Sequence, residues 1–348
     1  MHVPDGFINA PVSAVAGVAA AGAVAVSLRG ARRELDERTA PLAGLVAAFI
    51  FAVQMLNFPV AAGTSGHLLG GALAAILVGP FTGVLCVSVV LLMQGILFAD
   101  GGLTALGVNI TVMAVVTTVV SYAVFRGLVK VLPRTRRSVT TASFAAALLS
   151  VPAAAAAFTL LYAVGGTTDI AITKVATAMV GVHVLIGIGE AAITALTVGA
   201  VIAVRPDLVY GARGLQQKLK LRVNGELVDT PEADAPAAPS SHRKVWITGL
   251  VTSLVLAGFV SFYASASPDG LEKVAKDKGI DAKVEAHAAE DSPLADYGVK
   301  DVSDARLSGG LAGVIGVGVT VVAGTGVFWA VRRRRTDDTS TASVAGTA

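Results

Sequence analysis

The 348-residue sequence is 54% hydrophobic and only 15% charged, with a mean hydropathy of +0.72. A soluble globular protein of this length needs far more polar surface, so this composition excludes that class and favours an integral membrane protein. The single cysteine, Cys86, excludes a disulfide framework and a thiolate cluster. The formal net charge of +3 is informative only once the charged residues are assigned to the two sides of a membrane.

Nine apolar segments predict membrane-spanning helices, because about 20 apolar residues cross the hydrocarbon core of a bilayer. The third segment is shorter than a full span. The predicted segments are Ile8–Leu28, Pro41–Asn57, His67–Gly79, Phe81–Phe98, Leu106–Phe125, Thr140–Val164, Ile172–Val204, Val245–Tyr263 and Leu311–Val331. The fold class is therefore predicted as an all-α integral membrane protein, a seven-helix bundle with two further transmembrane helices.

A polar stretch divides the chain into two predicted domains. The sequence "VDTPEADAPAAPSSH" is rich in Pro, Ala and acidic residues, which predicts a flexible cytoplasmic linker over 213–244. The seven-helix body occupies 1–212. A two-helix appendage occupies 245–335 with an outer loop at 264–308, and residues 336–348 are expected to be a disordered tail.

The distribution of positive charge predicts the orientation in the membrane. If every segment crosses once, 20 of the 27 Lys and Arg residues fall on one side, in the loops 29–39, 126–137, 205–244 and 331–348. Positive residues accumulate on the cytoplasmic side, so the N-terminus is expected outside the plasma membrane.

Motifs for several enzyme classes are absent from the sequence. It contains no G-x-x-x-x-G-K-[ST], no H-E-x-x-H and no G-x-S-x-G. We therefore expect no ATP hydrolysis by this chain, and any pumping role must draw its energy from another protein.

The opening "MHVPDGF" places a histidine second. The terminal amine of Met1, the amide nitrogen of His2 and its imidazole can chelate one metal ion, and a second imidazole, such as that of His67, can complete a square plane. Nitrogen-rich, square-planar sites suit Ni(II) or Cu(II). Met1 is expected to be retained, because removal of the initiator generally requires a small second residue.

The turn residues Pro4, Asp5 and Gly6 predict a reversal that folds this segment over the bundle, with the Asp5 side chain bonding nearby backbone. The alternative is that these residues simply cap the first helix and leave His2 exposed. The chemistry alone does not choose between the two.

Further polar residues lie at or inside the predicted membrane. The glycines and Ser65 in "GTSGHLLGG" allow close approach of the backbone, and His67 is either a ligand or a hydrogen-bonded interface residue. His183 and Glu190 share one face of the seventh helix and are either functional or an inter-helix polar clamp.

Gln94, Asp100 and Asn109 surround a glycine turn. They are either groups that orient the histidines or helix-end hydrogen bonders. His242 and His287 are expected to be solvated.

Four motifs together closely resemble the CbiM/NikM family, the substrate-binding membrane components of nickel and cobalt energy-coupling-factor transporters. They are "MHVPDGF", "GTSGHLLGGALAAILVGP", "LLMQGILFADGGLTALGVN" and "VHVLIGIGEAAIT", and they span most of 1–205. In the appendage, "SPDGLEKVAKDKG" and "DSPLADYGV" resemble the PDGLE-type, NikN-like small subunit. Val3 departs from the commonest family pattern, which has isoleucine there.

The resemblance implies that Met1, His2 and His67 are the metal ligands and that Ni2+ or Co2+ is the transported substrate, with no cofactor. It also implies a membrane coupling subunit and two cytoplasmic ATPases as partners in the lipid bilayer, no nucleic acid, and delivery to cobalamin synthesis or nickel enzymes. Amide-nitrogen ligation and the PDGLE-type appendage favour nickel. The alternatives are a membrane metal sensor or chaperone without transport, and an intramembrane enzyme that uses His183 and Glu190.

The outer segment 264–308 contains ten acidic and six basic residues. We expect the appendage to act in opening or closing the N-terminal plug. The alternative is a plain solvated loop that joins two helices.

Overall fold

Apolar helices form most of the computed structural model, which describes residues 1–35, 39–61, 63–215, 220–223, 226–229 and 243–345. The helices are Ala10–Glu34 (α1), Thr39–Gln54 (α2), Gly71–Val78 (α3), Pro80–Leu97 (α4), Leu106–Val131 (α5, with a π-helical stretch at Ile110–Val116), Arg136–Gly165 (α6), Ile172–Val204 (α7), Arg243–Gly258 (α8), Gly270–Lys278 (α9) and Ala305–Ala345 (α10). Short 3-10 turns occur at Pro206–Leu208, Tyr210–Leu215, Val260–Tyr263, Asp281–Lys283 and Ala295–Tyr297. The strands Phe58–Pro59 (β1) and Ser65–Gly66 (β2) pair antiparallel, as do Lys220–Val223 (β3) and Glu226–Asp229 (β4). The predicted all-α membrane class is confirmed.

Seven helices in the described part of the chain are long and apolar enough to cross a membrane. Two of the nine predicted segments form shorter helices. At 1.5 Å per residue, the 16 residues of α2 extend about 24 Å and the eight residues of α3 about 12 Å, against a hydrocarbon core of about 30 Å. The third segment is therefore not a full helical span.

The segment 67–79 instead combines four residues of irregular chain with the short α3. At one end, His67 contacts Met1, in the stretch that leads into α1. At the other end, Gly79 lies against the carboxylate of Glu34, the last residue of α1. That carboxylate accepts hydrogen bonds from the Thr82 amide at 2.7 Å and hydroxyl at 2.8 Å, and so caps the start of α4.

The first helix is capped by Asn9, whose side chain accepts from the amide of Val12 at 3.0 Å. The interpretation in which Pro4, Asp5 and Gly6 cap this helix is therefore wrong. One face of α1 leaves apolar side chains uncovered, among them Val15 and Val18 at 70% and 76% exposure. In a membrane protein such a face meets lipid tails.

The two helices of the appendage pack against α2 through small residues. A Cβ on Gly44 would lie 2.9 Å from the backbone nitrogen of Thr325, and one on Gly316 would overlap the ring of Phe51. Glycine at these contacts lets α2 and α10 approach closely, which is how helices associate in lipid.

Two predicted segments differ from the structure. Within the predicted linker 213–244, the described residues include the paired strands β3 and β4. The remaining parts of the linker, 216–219, 224–225 and 230–242 with His242, lie outside the described residues. The predicted disordered tail begins at 336, yet α10 continues to Ala345. No proline or glycine lies between Gly326 and Gly346, so no residue there breaks the helix.

The N-terminal segment and the outer segment of the appendage lie on one face of the bundle. Glu285 donates its amide to the Asp5 carbonyl at 3.1 Å, and Ser65 donates its hydroxyl to the Ser267 carbonyl at 2.7 Å. His287, expected to be solvated, is partly buried and contacts the Gly101 carbonyl through Nε2 at 3.1 Å. The appendage therefore covers the surface onto which the N-terminus folds.

Candidate functional site

Met1 and Val3 are buried in the bundle, and hydrogen bonds to the backbone of Val3 hold the N-terminal segment there. Met1 is 2% exposed and Val3 is fully buried. Asn109 accepts from the Val3 amide at 2.8 Å and donates to the Val3 carbonyl at 3.0 Å, and Gly102 donates its amide to the same carbonyl at 2.9 Å. These bonds use only the backbone of Val3, so they do not depend on whether valine or isoleucine stands there.

A tight turn holds the segment in this position. Gly6 has φ +88°, a backbone conformation that glycine adopts without the strain of a side chain. The Asp5 carboxylate accepts from the amides of Leu103 at 3.2 Å and Thr104 at 2.8 Å. Asp5 thus fastens the N-terminal turn to the loop between α4 and α5.

The terminal amine meets two side chains from distant parts of the sequence. It contacts Nε2 of His67 and lies 2.6 Å from Oδ2 of Asp269. His67 is 5% exposed, and its Nδ1 lies 3.0 Å from the Leu68 carbonyl. When Nδ1–H donates to that carbonyl, Nε2 carries the lone pair and faces the amine as a potential metal ligand.

The His2 imidazole lies beside that of His67, with ring centroids 5.0 Å apart and an interplanar angle of 16°. Its Nε2 is 3.1 Å from the Gln94 side-chain oxygen and its Nδ1 is 3.2 Å from the Asp100 carboxylate. Burial lowers the pKa of the His2 imidazole to about 4. At neutral pH this ring is therefore uncharged, the state in which an imidazole binds metal.

The appendage reaches the same group of residues at a second point. Tyr297 donates its hydroxyl to Asp100 at 2.6 Å, so that Asp100 bridges this phenol and the His2 ring. Burial and the adjacent Asp100 carboxylate hold the pKa of the Tyr297 phenol well above its usual value. The phenol therefore remains a hydrogen-bond donor at any physiological pH.

His183 and Glu190 are both buried on α7 but have different partners. Glu190 accepts from the amides of Leu69 at 2.6 Å and Gly70 at 3.1 Å, two and three residues after His67 in the chain. The Nδ1 of His183 contacts the Met179 carbonyl at 2.7 Å within its own helix. Glu190 thus fixes the loop that carries His67 and acts as a clamp between elements.

The sequence analysis does not predict that two side chains of the appendage, Asp269 and Tyr297, lie at the site. Asp269 and Tyr297 fall in the segments "SPDGLEK" and "LADYGV". The spacing of Asp269 and Glu272 predicts a capping box, and the structure contains one at the start of α9. A capping signal indicates a helix start and carries no information about a contact 268 residues away.

The donors gathered here are mostly backbone groups and imidazoles. Within the described residues, no three side chains of His, Cys, Asp or Glu are grouped so as to hold a metal ion. A site built from a terminal amine, an amide nitrogen and two imidazoles needs only two such side chains. The terminal amine and the two imidazoles lie close enough together that the nitrogen-rich site stays a prediction compatible with the residues present.

Comparison with known proteins gives two family matches. Residues 2–208 match the CbiM model, described as a cobalt uptake substrate-specific transmembrane region, and residues 243–333 match the PDGLE domain. A fused nickel transport protein, NikMN, of Rhodobacter capsulatus is 31% identical over 95% of this chain and 98% of its own length.

Other relatives cover the body alone or most of the chain. A putative fused nickel transport protein NikMN of Archaeoglobus fulgidus is 38% identical over 68% of this chain and 77% of its own length. The cobalt transport protein CbiM of Sorangium cellulosum is 33% identical over 60% of this chain and 94% of its own length. A crystal structure of a transition metal transporter superposes with a TM-score of 0.52 at 27% identity, covering 59% of this chain and 93% of that one.

Proposed function

We propose that this chain, which belongs to the CbiM family of cobalt-uptake transmembrane proteins and carries a fused PDGLE domain, is the ion-binding component of an energy-coupling-factor uptake transporter for nickel. The family membership makes it a component of transition-metal transport. The proposal goes further and specifies the ligands, the preferred ion, the side of the membrane on which the ion binds, and the coupling mechanism.

One observation carries the proposal: the buried terminal amine lies against Nε2 of His67. In this structure the Asp269 carboxylate, 2.6 Å away, compensates the charge of the buried ammonium. Once it is deprotonated, the amine offers a lone pair beside the His67 imidazole. The amine and amide nitrogens of the first two residues, with Nδ1 of His2 and Nε2 of His67, make a four-nitrogen set. Such a set favours square-planar Ni(II).

Ion binding requires one local rearrangement. The chelate is completed by Nδ1 of His2, which contacts Asp100 in this structure. That nitrogen gives up its Asp100 contact when it binds the ion, while Gln94 stays within reach of Nε2 at the far side of the ring. A hydrogen bond from the other ring nitrogen is what normally orients a metal-bound imidazole.

Nickel is favoured over cobalt on two grounds. Ligation by an amide nitrogen suits the square-planar preference of Ni(II). The relative from Rhodobacter capsulatus is named a fused nickel transport protein and that from Archaeoglobus fulgidus a putative fused nickel transport protein. Cobalt is the alternative ion that the binding experiment below distinguishes.

The energy for uptake comes from partners in this proposal. The sequence has no phosphate-binding loop, so ATP hydrolysis belongs to two cytoplasmic ATPases that act through a membrane coupling subunit. The excess of Lys and Arg at the opposite side of the membrane from the N-terminus supports capture of the ion at the outer face.

The test compares two full-length chains in detergent. One begins at Met1 with a free amine, verified by mass spectrometry, and the other carries one additional alanine before Met1. A matched control carries the additional alanine after Ala348. We expect the first and third chains to bind about one Ni(II) and the N-terminally extended chain to bind at least about tenfold more weakly, by calorimetry.

Equal affinity of all three chains would refute the terminal chelate. A second measurement addresses transport: vesicles that contain this chain, the coupling subunit and the ATPases are loaded with ATP and supplied with radioactive nickel or cobalt. ATP-dependent accumulation supports the transporter. Tight binding without accumulation favours the metal sensor or chaperone instead.

A further inference from the structure

Tyr297 of the appendage lies in a backbone turn that few side chains adopt. The 3-10 turn Ala295–Tyr297 contains two consecutive non-glycine residues with positive φ, Asp296 at +53° and Tyr297 at +57°. This conformation costs energy for a residue with a Cβ, and it persists where surrounding contacts impose it. One of those contacts is the amide of Asp296, which donates to the Phe98 carbonyl at 2.9 Å. The body therefore helps to fix the turn that carries Tyr297.

Aromatic packing orients the Tyr297 ring. Its centroid lies 4.9 Å from that of Phe98, with an interplanar angle of 22°, and 6.3 Å from that of Phe51. The Tyr297 hydroxyl donates to Oδ2 of Asp100 at 2.6 Å, while Oδ1 of the same carboxylate lies 3.2 Å from Nδ1 of His2. The two oxygens of Asp100 thus contact one group from the appendage and one from the N-terminal segment.

We propose that Tyr297 is a positioning residue for the ion site, which acts on His2 through Asp100. Its hydroxyl keeps the Asp100 carboxylate hydrogen-bonded when the His2 imidazole leaves that carboxylate for the ion. This inference rests on the proposed function, in which Nδ1 of His2 exchanges Asp100 for the metal. Tyr297 itself does not touch the ion, so the four-nitrogen ligand set is unchanged.

The hydrogen bond from Tyr297 favours the ion-bound state for two reasons. Before the ion binds, this bond stabilises the negative charge of Asp100 and makes the carboxylate a weaker partner for Nδ1 of His2. After the ion binds, Asp100 has lost the imidazole, and its side chain is only 26% exposed to water. A hydrogen bond to an ionised group is among the stronger ones in proteins, so the phenol compensates for part of that loss.

A simpler role for Tyr297 is to pack the appendage onto the body. Its ring contacts Phe98 and Phe51, and these contacts need no hydroxyl. The two roles separate in Tyr297→Phe, which keeps the ring and removes only the hydrogen-bond donor. The matched control is Tyr263→Phe, which removes a hydroxyl from the same appendage at a side chain that is 72% exposed.

The experiment measures nickel affinity by calorimetry and the visible absorption of the nickel-loaded full chain in detergent. We expect Tyr297→Phe to weaken nickel binding about tenfold, because it removes a group that orients a metal ligand. The absorption of the bound nickel should keep its wild-type position, because all four nitrogen ligands remain. Tyr263→Phe should match the wild type in both measurements, and thermal unfolding checks that Tyr297→Phe preserves the packing of the appendage.

A double-mutant cycle tests whether the effect passes through Asp100. Asp100→Ala removes the carboxylate, so the Tyr297 hydroxyl has no group left to position. In this background we expect Tyr297→Phe to change nickel affinity by less than about twofold. An equal loss in both backgrounds would instead show that the hydroxyl acts only on the packing, and would overturn the proposal.

Two other results would also overturn it. Wild-type affinity in Tyr297→Phe would show that the hydroxyl has no part in binding, and a shifted absorption of bound nickel would show that the ligand set had changed. These failures concern Tyr297 alone as long as the wild type binds nickel more tightly than the N-terminally extended chain. If those two chains bind equally, the proposed function fails and this inference fails with it.

Discussion

Replacing Asn109 by leucine is predicted to release the N-terminal segment from the bundle. Asn109 is 2% exposed and makes one bond to the amide of Val3 and one to its carbonyl. Leucine has a similar volume but no polar atom, so the buried Val3 amide loses its hydrogen bond to Asn109. An orphaned buried donor costs about 1–3 kcal/mol and the second lost bond about 1 kcal/mol, together about 2–4 kcal/mol.

That free energy corresponds to a factor of roughly 30–700 in the equilibrium between the docked and the released segment. The first assay is the rate at which a reagent selective for α-amines labels Met1 in the full chain, read by mass spectrometry. The second is nickel affinity by calorimetry, because the chelate forms only when the segment is docked. We expect faster labelling and weaker binding.

The control for this prediction is Thr111→Val on the same helix. The Thr111 hydroxyl makes a long, 3.4 Å bond to the Ala16 carbonyl, away from the N-terminal segment, so labelling and affinity should remain at wild-type values. Thermal unfolding of each variant checks that the bundle is intact. Wild-type labelling and affinity in Asn109→Leu would show that these two hydrogen bonds do not hold the segment in place, and the reasoning would be refuted.

Three further substitutions test other supports of the site. Glu190→Gln leaves one of the two backbone amides that Glu190 binds facing an NH2 group, so the loop that carries His67 loosens. We expect the nickel affinity, measured by calorimetry, to fall about 10- to 100-fold. An unchanged affinity would contradict the role of Glu190 as a clamp. Gly102→Ala places a methyl group on the backbone of the N-terminal turn and should weaken nickel binding, whereas Gly127→Ala, with open space around it, should bind as the wild type does. Gly44→Val forces α2 and α10 apart and should lower the melting temperature by several degrees, whereas Gly326→Ala, which meets no neighbour, should leave it unchanged.

The sequence was sufficient to predict the elements whose signal is local. Apolar runs predict the long helices, because the bilayer requires about 20 apolar residues wherever a helix crosses it. The third segment departs from this pattern: the four residues before α3 form no regular secondary structure, and the last of them, Gly70, adopts φ +90°. A hydropathy pattern does not distinguish an irregular apolar stretch from a helix once neighbouring helices and Glu190 satisfy its backbone groups.

The candidate site was predictable only in part for a related reason. The chelate of Met1 and His2 is local chemistry and can be proposed from two adjacent residues. The contact of Asp269 with the amine is set by the packing of the appendage over the body, which depends on small residues such as Gly270 and Gly44. No pattern in the sequence connects an N-cap aspartate to an amine at the other end of the chain.

The separation of these groups along the chain bears on how such a site can release its ion. The amine, the His67 imidazole and the Asp269 carboxylate belong to three segments that meet only in the folded protein. The N-terminal segment is held by hydrogen bonds such as the two between Val3 and Asn109, whose loss costs about 2–4 kcal/mol. Displacing this segment removes the amine and His2 from the proposed site without unfolding a helix. A partner that shifts the N-terminal turn would therefore weaken ion binding steeply, so capture and release can both be achieved by the same set of residues.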